Sequence, residues 1–398
     1  MTTARPTRGR IIVFGILFGY PLAGVTYQFL HYLIALRRLG YDPYYVEDSG
    51  RWVYNPWLHE TTRDASHNVR VVAPLLAAHG FGDRWAFRGR YADGPAEQYG
   101  LSAARLAALF READAFLNVT ASQEILEEHL QVPRRIYVES DPFAAQVRLA
   151  QGHPFTTTQL ARHDTHFSFG ENIGAPDCTV PTAGLRWLPT RQPVVLDLWD
   201  GPQRAAPGPA PDAAYRTITT WGNSGNDVVH EGDTYYWTKD RAFEPYLDLP
   251  RRRAVPFEIA VGAKAAVHAR LGAHGWAHPS ALHVSEDAAR YRAFIQGARA
   301  EFTVARDQYV RPRTGWFSDR SACYLAAGRP VVTEDTGFGC ALPTGRGLFA
   351  FRTMDDVLGA IDAIEADYAG HCGAAREIAA ECFDAERVVG SLMARAGL

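Results

Sequence analysis

The sequence predicts an α/β protein made of two doubly wound domains, each built on a parallel sheet. Two observations lead to this prediction: short apolar runs alternate with segments of helical period, and the series occurs twice along the 398 residues. A chain of this length is enough for two domains of about 150–200 residues. We expect domains at residues 1–190 and 191–398 that face each other across a cleft, with C-terminal helices that could pack back on the first domain.

The first series lies in residues 10–142. Its first apolar run is short and β-branched, which favours a strand. Arg5 and the arginines that follow it give this region a weak likeness to a signal peptide, the less favoured interpretation. The helix after it ends at Gly40, a residue type common just beyond helix ends. The predicted strands are residues 10–16, 42–47, 115–119 and 135–138, and the predicted helices are residues 25–39, 101–110 and 121–130.

The second series follows residue 189. It includes a Gly-, Pro- and Ala-rich stretch at residues 201–211, which we expect to be a loop. Residues 354–396 are predicted to be almost entirely helical. The other predicted strands are residues 217–221, 257–261, 302–305, 331–333 and 348–351, and the clearest helices are residues 287–297 and 321–327.

Composition excludes several classes of protein. The net charge of −3 gives no basic field that would hold nucleic acid, and 47% hydrophobic residues are enough for a globular core. The five cysteines show no paired spacing, so we expect a cytoplasmic protein. No apolar run is long enough to predict a membrane span. The oligomeric state stays open.

The segment TGWFSDRSACYLAAGRPVVTEDTGFG, residues 314–339, is the most informative. Ser318 and Asp319 are preferred N-cap residues for the helix that follows. Arg320 falls in the first turn of that helix, where the helix dipole disfavours a cation. An anion such as a diphosphate at the helix start would account for this arginine. The alternative is an ordinary strand–helix–strand turn.

The strand after this helix ends in an acidic loop. Glu334 and Asp335 could accept hydrogen bonds from sugar hydroxyls, and Thr336 and Gly337 could donate hydrogen bonds to a phosphate. In open α/β sheets, ligands bind beyond the carboxyl ends of the strands, where this loop is expected.

The segment resembles the donor-site signature of GT-B glycosyltransferases, which have two Rossmann-like domains. By position, Asp319 and Arg320 match the phosphate-binding helix start, and Glu334 and Asp335 match the acidic loop that contacts the donor sugar. Many retaining members carry a glutamate where this chain has Cys323, and many inverting members carry a histidine near Gly315. The stereochemical class therefore stays open.

Three more residues are candidates for donor binding. Lys239 resembles the basic residue that reaches donor phosphates in this fold, although a solvated lysine is an equally good interpretation. Asn223 and Arg306 directly follow predicted strands, where a turn residue and an intradomain salt bridge are the alternatives. The resemblance implies that the loop from Gly19 to Gly24 faces the acceptor and the donor phosphates. This loop lacks a full dinucleotide fingerprint, so we expect no bound NAD.

A general base is expected on the N-terminal side, because the acceptor would bind there. Asp141 and His163 are the candidates that we carry forward, and each could instead be structural; Asp164, Glu47 and Asp48 are further possibilities. No His-Glu-x-x-His pattern or zinc-type cluster occurs, so we predict no protein-bound metal and no cofactor.

The resemblance implies transfer of a sugar from a nucleoside diphosphate sugar, linked to UDP or dTDP, to the hydroxyl of a small molecule or glycan. No nucleic acid is expected as a partner. Two alternatives stay open: a nucleotide-sugar 2-epimerase of the same fold, and a non-catalytic two-domain ligand-binding protein.

Overall fold

The computed structural model describes residues 8–92, 96–200, 212–223 and 225–398. Arg5 and the loop predicted at residues 201–211 lie outside them. The strands are β1 Arg10–Phe14, β2 Asp42–Ser49, β3 Val53–Asn55, β4 Glu60–Thr62, β5 Trp85–Gly89, β6 Glu97–Gly100, β7 Ala115–Val119, β8 Arg134–Glu139, β9 Thr165–Ser168, β10 Trp187–Pro189, β11 Tyr215–Thr220, β12 Val228–His230, β13 Asp233–Tyr235, β14 Phe257–Gly262, β15 Ala300–Thr303, β16 Val331–Glu334 and β17 Leu348–Phe351.

Helices connect most of these strands, and none in the described ranges has the length and apolar character needed to cross a membrane. They are α1 Ala23–Arg38, α2 Ser66–Ala78, α3 Ala103–Glu112, α4 Ala144–Ala150, α5 Pro154–Ala161, α6 Asp240–Phe243, α7 Leu249–Arg252, α8 Ala265–Ala273, α9 Ala281–Ser285, α10 Ala288–Gln296, α11 Asp307–Val310, α12 Asp319–Ala326, α13 Met354–Ala366, α14 Tyr368–Ile378 and α15 Ala385–Arg395.

Two sheets organise the molecule, as the alternation of apolar runs predicts. The first has the strand order β10-β9-β8-β7-β1-β2-β5-β6, and all its pairs are parallel except β5 with β6. The second has the order β14-β11-β15-β16-β17 and is parallel throughout. The two-domain α/β fold predicted from the sequence is therefore confirmed.

The first strand of each series lies inside its sheet. The chain leaves β1 for β2 on one side and later returns to β7 on the other. In the same way β11 lies between β14 and β15. These are topological switch points. The loops that follow the two neighbouring strands run in opposite directions there and leave a crevice for a ligand beyond the carboxyl ends of the strands.

The helix predicted at residues 121–130 is wrong. Thr120 and Ala121 have φ angles of 61° and 52°, in the left-handed region, which breaks a helix at its start. The Asn118 side chain accepts a hydrogen bond from the backbone N–H of Gln123 and so closes a turn. Only a 3-10 turn, Glu127–Gln131, forms in this segment.

The end of the chain returns to the first sheet. Val389, Leu392 and Met393 of α15 are buried in the same core as residues of β1 and α1. Arg395 Nη1 also donates a hydrogen bond of 2.7 Å to the carbonyl of Pro189. The boundary between residues 190 and 191 stays a prediction, although β10 is the last strand of the first sheet.

Candidate active site in the interdomain cleft

A cavity of about 950 Å³ lies between the two sheets. From the first half of the chain it is lined by residues that follow β1, including Gly24, and by residues of the β3–β4 hairpin. From the second half it is lined by residues beyond β11, including Asn223, and by the start of α12. The cavity thus opens at both topological switch points, where a pair of such sheets is expected to bind ligands.

Three cations line this cavity: Lys239, Arg306 and Arg320. In the part of the chain that the structure describes, the ammonium group of Lys239 has no hydrogen bond or ion pair. Burial, together with the positive charges of Arg320 and Arg306, lowers the pKa of Lys239 well below its ordinary value. Three mutually repelling cations around a cavity are suited to an anionic ligand.

Arg320 is held by its own sheet. Its Nε lies 2.6 Å from Oε1 of Glu301, and its Nη1 donates to the carbonyl of Ile218 at 2.6 Å. Its Nη2 donates to Oγ1 of Thr303 at 2.9 Å. Glu301 is fully buried in β15 and needs a cation beside it. Three of the five guanidinium N–H groups are therefore used inside the domain, and two remain for a ligand in the cavity that Arg320 lines.

The start of α12 faces the cavity through Asp319. Burial raises the pKa of Asp319, and the charge and backbone amide of Arg320 oppose that rise. A carboxylate here competes with a phosphate for the first amides of the helix. Ser318 is the N-cap residue but makes no side-chain cap; its carbonyl accepts a hydrogen bond from Nε2 of Gln192 at 2.9 Å.

Glu334 is not among the residues that line the cavity, although its charge interacts with that of Lys239. It accepts a hydrogen bond of 3.0 Å from the backbone N–H of Ala305. Burial raises its pKa to about 7, and Lys239 partly opposes that rise. Glu334 thus modulates the charge of the cation group and does not line the space that a ligand would fill.

The rest of the acidic loop makes contacts within the protein, and its role in contacting the donor stays a prediction. Asp335 is paired with Arg352 at 2.6 Å and accepts from the backbone N–H of Gly337 at 2.8 Å. Thr336 is buried and donates a hydrogen bond to the carbonyl of Trp316. The structure therefore does not bring Asp335, Thr336 and Gly337 to the cavity.

Asp141 joins the two halves of the chain. It follows β8, and its Oδ1 lies 3.0 Å from Nη1 of Arg306. The same oxygen accepts a hydrogen bond from the hydroxyl of Tyr309. The ring of Trp237 lies 3.5 Å from the Arg306 guanidinium, in a cation–π contact. Asp141 is therefore an interdomain anchor for a cation that lines the cavity.

His163 is not brought to the cleft. Its ring packs against Phe116 and Tyr137, with centroids 5.6 and 5.1 Å away. Its Nδ1 lies 2.8 Å from the carbonyl of Gln159, and burial lowers its pKa to about 3. It lines a separate cavity of about 170 Å³. A neutral imidazole packed on the sheet is structural, which argues against the predicted role as base.

The loop after β1 is held by Glu47. The backbone N–H of Gly19 donates to Oε2 of Glu47 at 2.9 Å, and Phe18 donates to the other oxygen. Gly24 lies in the first turn of α1 and lines the cavity, and a Cβ added there would meet the Tyr291 hydroxyl at 3.4 Å. Sequence reasoning missed Tyr291 and also His59, because nothing in their local sequence indicates a cleft.

One group among the described residues could hold a metal ion: Asp48, Glu128 and His129, whose ligand atoms lie within 4.8 Å of one another. Arg88 and Arg90 already pair with these acids, at 2.5 to 3.1 Å. The group is a partly buried ion-pair network, and its members do not line the cleft.

Comparison with known proteins gives the fold. No protein-family model and no curated protein matches the chain. Among solved structures, it is similar to an α-glucosyltransferase in complex with UDP and a 13-mer DNA, with 12% identity, a TM-score of 0.59 and coverage of 98% of this chain and 100% of that one. It is also similar to Anabaena Alr3699/HepE in complex with UDP and glucose, with 11% identity, a TM-score of 0.54 and coverage of 98% and 100%.

Sucrose-phosphate synthase from Thermosynechococcus elongatus is similar at 10% identity and a TM-score of 0.51, with coverage of 98% and 99%. The similarity extends over nearly the whole length of each chain. The chain therefore has the GT-B fold, as the resemblance of residues 314–339 implies.

Proposed function

We propose that this protein is a glycosyltransferase that moves a sugar from a nucleoside diphosphate sugar, UDP- or dTDP-linked, to a hydroxyl-bearing acceptor. The observation that carries the proposal is the group of Lys239, Arg306 and Arg320 on a cavity placed at both switch points. Solved structures of the same fold hold UDP, which agrees with a diphosphate as the anion.

The chemistry of transfer needs such cations. The acceptor oxygen forms a bond to the anomeric carbon while the bond from that carbon to the diphosphate breaks. The diphosphate leaves with the electron pair, and the acceptor proton passes to a base or to the leaving group. Fixed positive charges stabilise the negative charge that develops on the leaving oxygen, and they need no reorganisation during the step.

We assign roles by position on the cavity. Lys239 would bind the phosphates, because its ammonium group has no other partner among the described residues. Arg306 would contribute a second charge, positioned by Asp141, and Arg320 would contribute its remaining N–H groups. Asp319, with Asn223 beside the end of β11, would accept or donate hydrogen bonds to the sugar or ribose hydroxyls.

The domain roles follow from the same placement. We propose that residues 191–398 hold the donor and that residues 1–190 hold the acceptor, since the cations come from the second half of the chain. An epimerase of the same fold would have the same two walls but would need no acceptor, so a requirement for acceptor separates the two.

Replacing Lys239 by methionine tests the proposal. Loss of a charged hydrogen bond to phosphate costs about 1.5–3 kcal/mol, so the affinity for UDP or dTDP should fall about 10- to 100-fold. Titration calorimetry with each nucleotide measures the change. Because one of three repelling charges disappears, the unliganded variant should melt no lower than the wild type.

Arg241→Met is the matched control. Arg241 lies two residues on, is exposed, and stacks on the ring of Tyr236 at 3.9 Å, so its loss changes the net charge equally without touching the cavity. Equal affinities for the wild type and Lys239→Met would remove the donor-site assignment. Incubating the wild type with nucleotide sugar, with and without acceptor, then separates transfer from epimerisation.

A further inference from the structure

The cavity continues beyond the cations to a wall formed by the first half of the chain. Tyr20, Tyr54 and His59 line this wall. The volume of about 950 Å³ is near the top of the range of about 300–1,000 Å³ found for sites that take one small molecule. Since the three cations gather on the wall from the second half, there is room for another ligand against the tyrosines.

Hydrogen bonds hold this wall in a fixed arrangement. The buried side chain of Asn68 donates through Nδ2 to the carbonyl of Phe18 at 2.7 Å and to the carbonyl of Tyr54 at 2.9 Å. The backbone N–H of Tyr54 also donates to the carbonyl of Gly19 at 2.9 Å. The loop after β1 and the β3–β4 hairpin are thereby joined into one unit.

The turn of the hairpin is fixed in the same way. Oδ1 of the buried Asn55 accepts from the backbone N–H groups of Trp57 at 3.1 Å and Leu58 at 3.2 Å. The ring of Trp57 packs against His67 of α2, with centroids 4.4 Å apart. His59 follows with a φ of 54°, a left-handed conformation that is unfavourable for most residues. These contacts hold the turn in place, and His59 lines the cavity.

The two tyrosines form an aromatic surface. Their ring centroids are 6.0 Å apart and the ring planes differ by 32°, and Tyr20 is 46% exposed. Each ring ends in a hydroxyl, and the imidazole of His59 adds another polar edge. A sugar ring fits such a surface, because its C–H face packs on aromatic rings while its hydroxyls reach polar groups. A purely apolar acceptor would leave the polar edges unpaired.

We propose that Tyr20, Tyr54 and His59 form the acceptor subsite, and that the acceptor is a carbohydrate whose ring packs on the two tyrosines. This inference rests on the proposed function. His59 binds the acceptor by a hydrogen bond to one of its hydroxyls.

Acceptor kinetics test the proposal. The probes are methyl glycosides of common hexoses, simple alcohols without a sugar ring, and a duplex DNA oligonucleotide, each offered with the nucleotide sugar that binds. In Tyr20→Leu and Tyr54→Leu, the KM for the glycoside should rise about 3- to 10-fold, the fold-change expected from loss of an aromatic contact. Tyr54→Phe keeps the ring and loses only the hydroxyl, so its KM should rise less than that of Tyr54→Leu.

His59→Asn removes the imidazole but tolerates the left-handed backbone, so its effect is not caused by misfolding. The KM for the glycoside should rise in this variant as well. Trp52→Leu is the matched control, because Trp52 is an equally exposed aromatic residue beside the same hairpin, at 50%, that does not line the cavity. Its kinetics should match those of the wild type. Affinity for UDP or dTDP should be unchanged in all these variants.

Two results would overturn the acceptor subsite while leaving the donor site intact. One is nucleotide binding with transfer only to simple alcohols or DNA. The other is transfer to glycosides with the same KM in the leucine variants and the wild type. If neither nucleotide binds the wild type, the proposed function fails first and the subsite fails with it.

Discussion

Replacing Arg320 by methionine should destabilise the folded protein, whether or not a ligand binds in the cavity. The Nε of Arg320 lies 2.6 Å from Oε1 of Glu301, whose side chain is fully buried. The other oxygen of Glu301 is buried without a hydrogen bond among the described residues. Removing the arginine would leave a buried carboxylate with no cation, a change that costs about 3–5 kcal/mol.

This cost is large against the stability of a folded protein, about 5–15 kcal/mol. For a domain of about 200 residues it corresponds to a fall in Tm of about 10 °C. Urea unfolding of the unliganded protein, followed by circular dichroism, measures the free energy directly. The midpoint should fall while the dependence on urea concentration stays the same.

The double variant Glu301→Gln/Arg320→Met is the control. It removes the charge of both partners, and replacing a whole buried pair is often close to neutral, so most of the lost stability should return. If Arg320→Met unfolds at the same urea concentration as the wild type, the arginine is not a structural partner of Glu301. An Arg320 variant alone therefore cannot test donor binding, and Lys239 is the better residue for that purpose.

Three further changes test other parts of the structure. Burial raises the pKa of Glu139 from 4.5 to about 8, so the folded state keeps a proton that the unfolded state loses, and stability falls as pH rises across that range. In Glu139→Gln, up to about 5 kcal/mol of this pH-dependent change in the free energy of unfolding should disappear. If urea unfolding at pH 5, 7 and 9 shows the same pH dependence in the variant and the wild type, the prediction is wrong. Gly315→Ala should cost about 1–3 kcal/mol in urea unfolding, because φ is 77° and its Cβ would lie 2.5 Å from the backbone nitrogen of Asn172; an unchanged midpoint would argue against this packing. Asp141→Asn should weaken the partly exposed pair with Arg306 by about 1 kcal/mol in urea unfolding, and an unchanged midpoint would show that the pair does not stabilise the protein.

The buried strands could be predicted because their sequences are almost continuously apolar. The predicted bounds of β7 and β17 agree with the structure, and those of β1 and β14 differ by one or two residues. By contrast, β9 was not predicted, because Thr165, His166 and Ser168 are polar. Their side-chain partners lie outside the strand: Ser168 donates to Glu139, and the ring of His166 lies 2.9 Å from the carbonyl of Leu160.

The candidate site could be predicted only where a local rule applies. Arg320 stands out because a cation in the first turn of a helix is unfavourable, and this reasoning leads to the right place. Its partner Glu301 lies on another strand, so the ion pair that holds Arg320 could not be read from the sequence. The wall of Tyr20, Tyr54 and His59 depends on Asn68, which joins segments that are far apart along the chain.

The return of α15 to the first sheet affects how the protein is made. Translation delivers the strands of that sheet first, yet Leu392 and Met393, which complete its core, are made only after the strands of the second sheet. Until then the nascent first half exposes the apolar surface that these side chains cover, while the second half is already able to fold. Expression of the first half by itself would keep that surface open, so an isolated fragment should aggregate unless residues 385–395 are supplied to it.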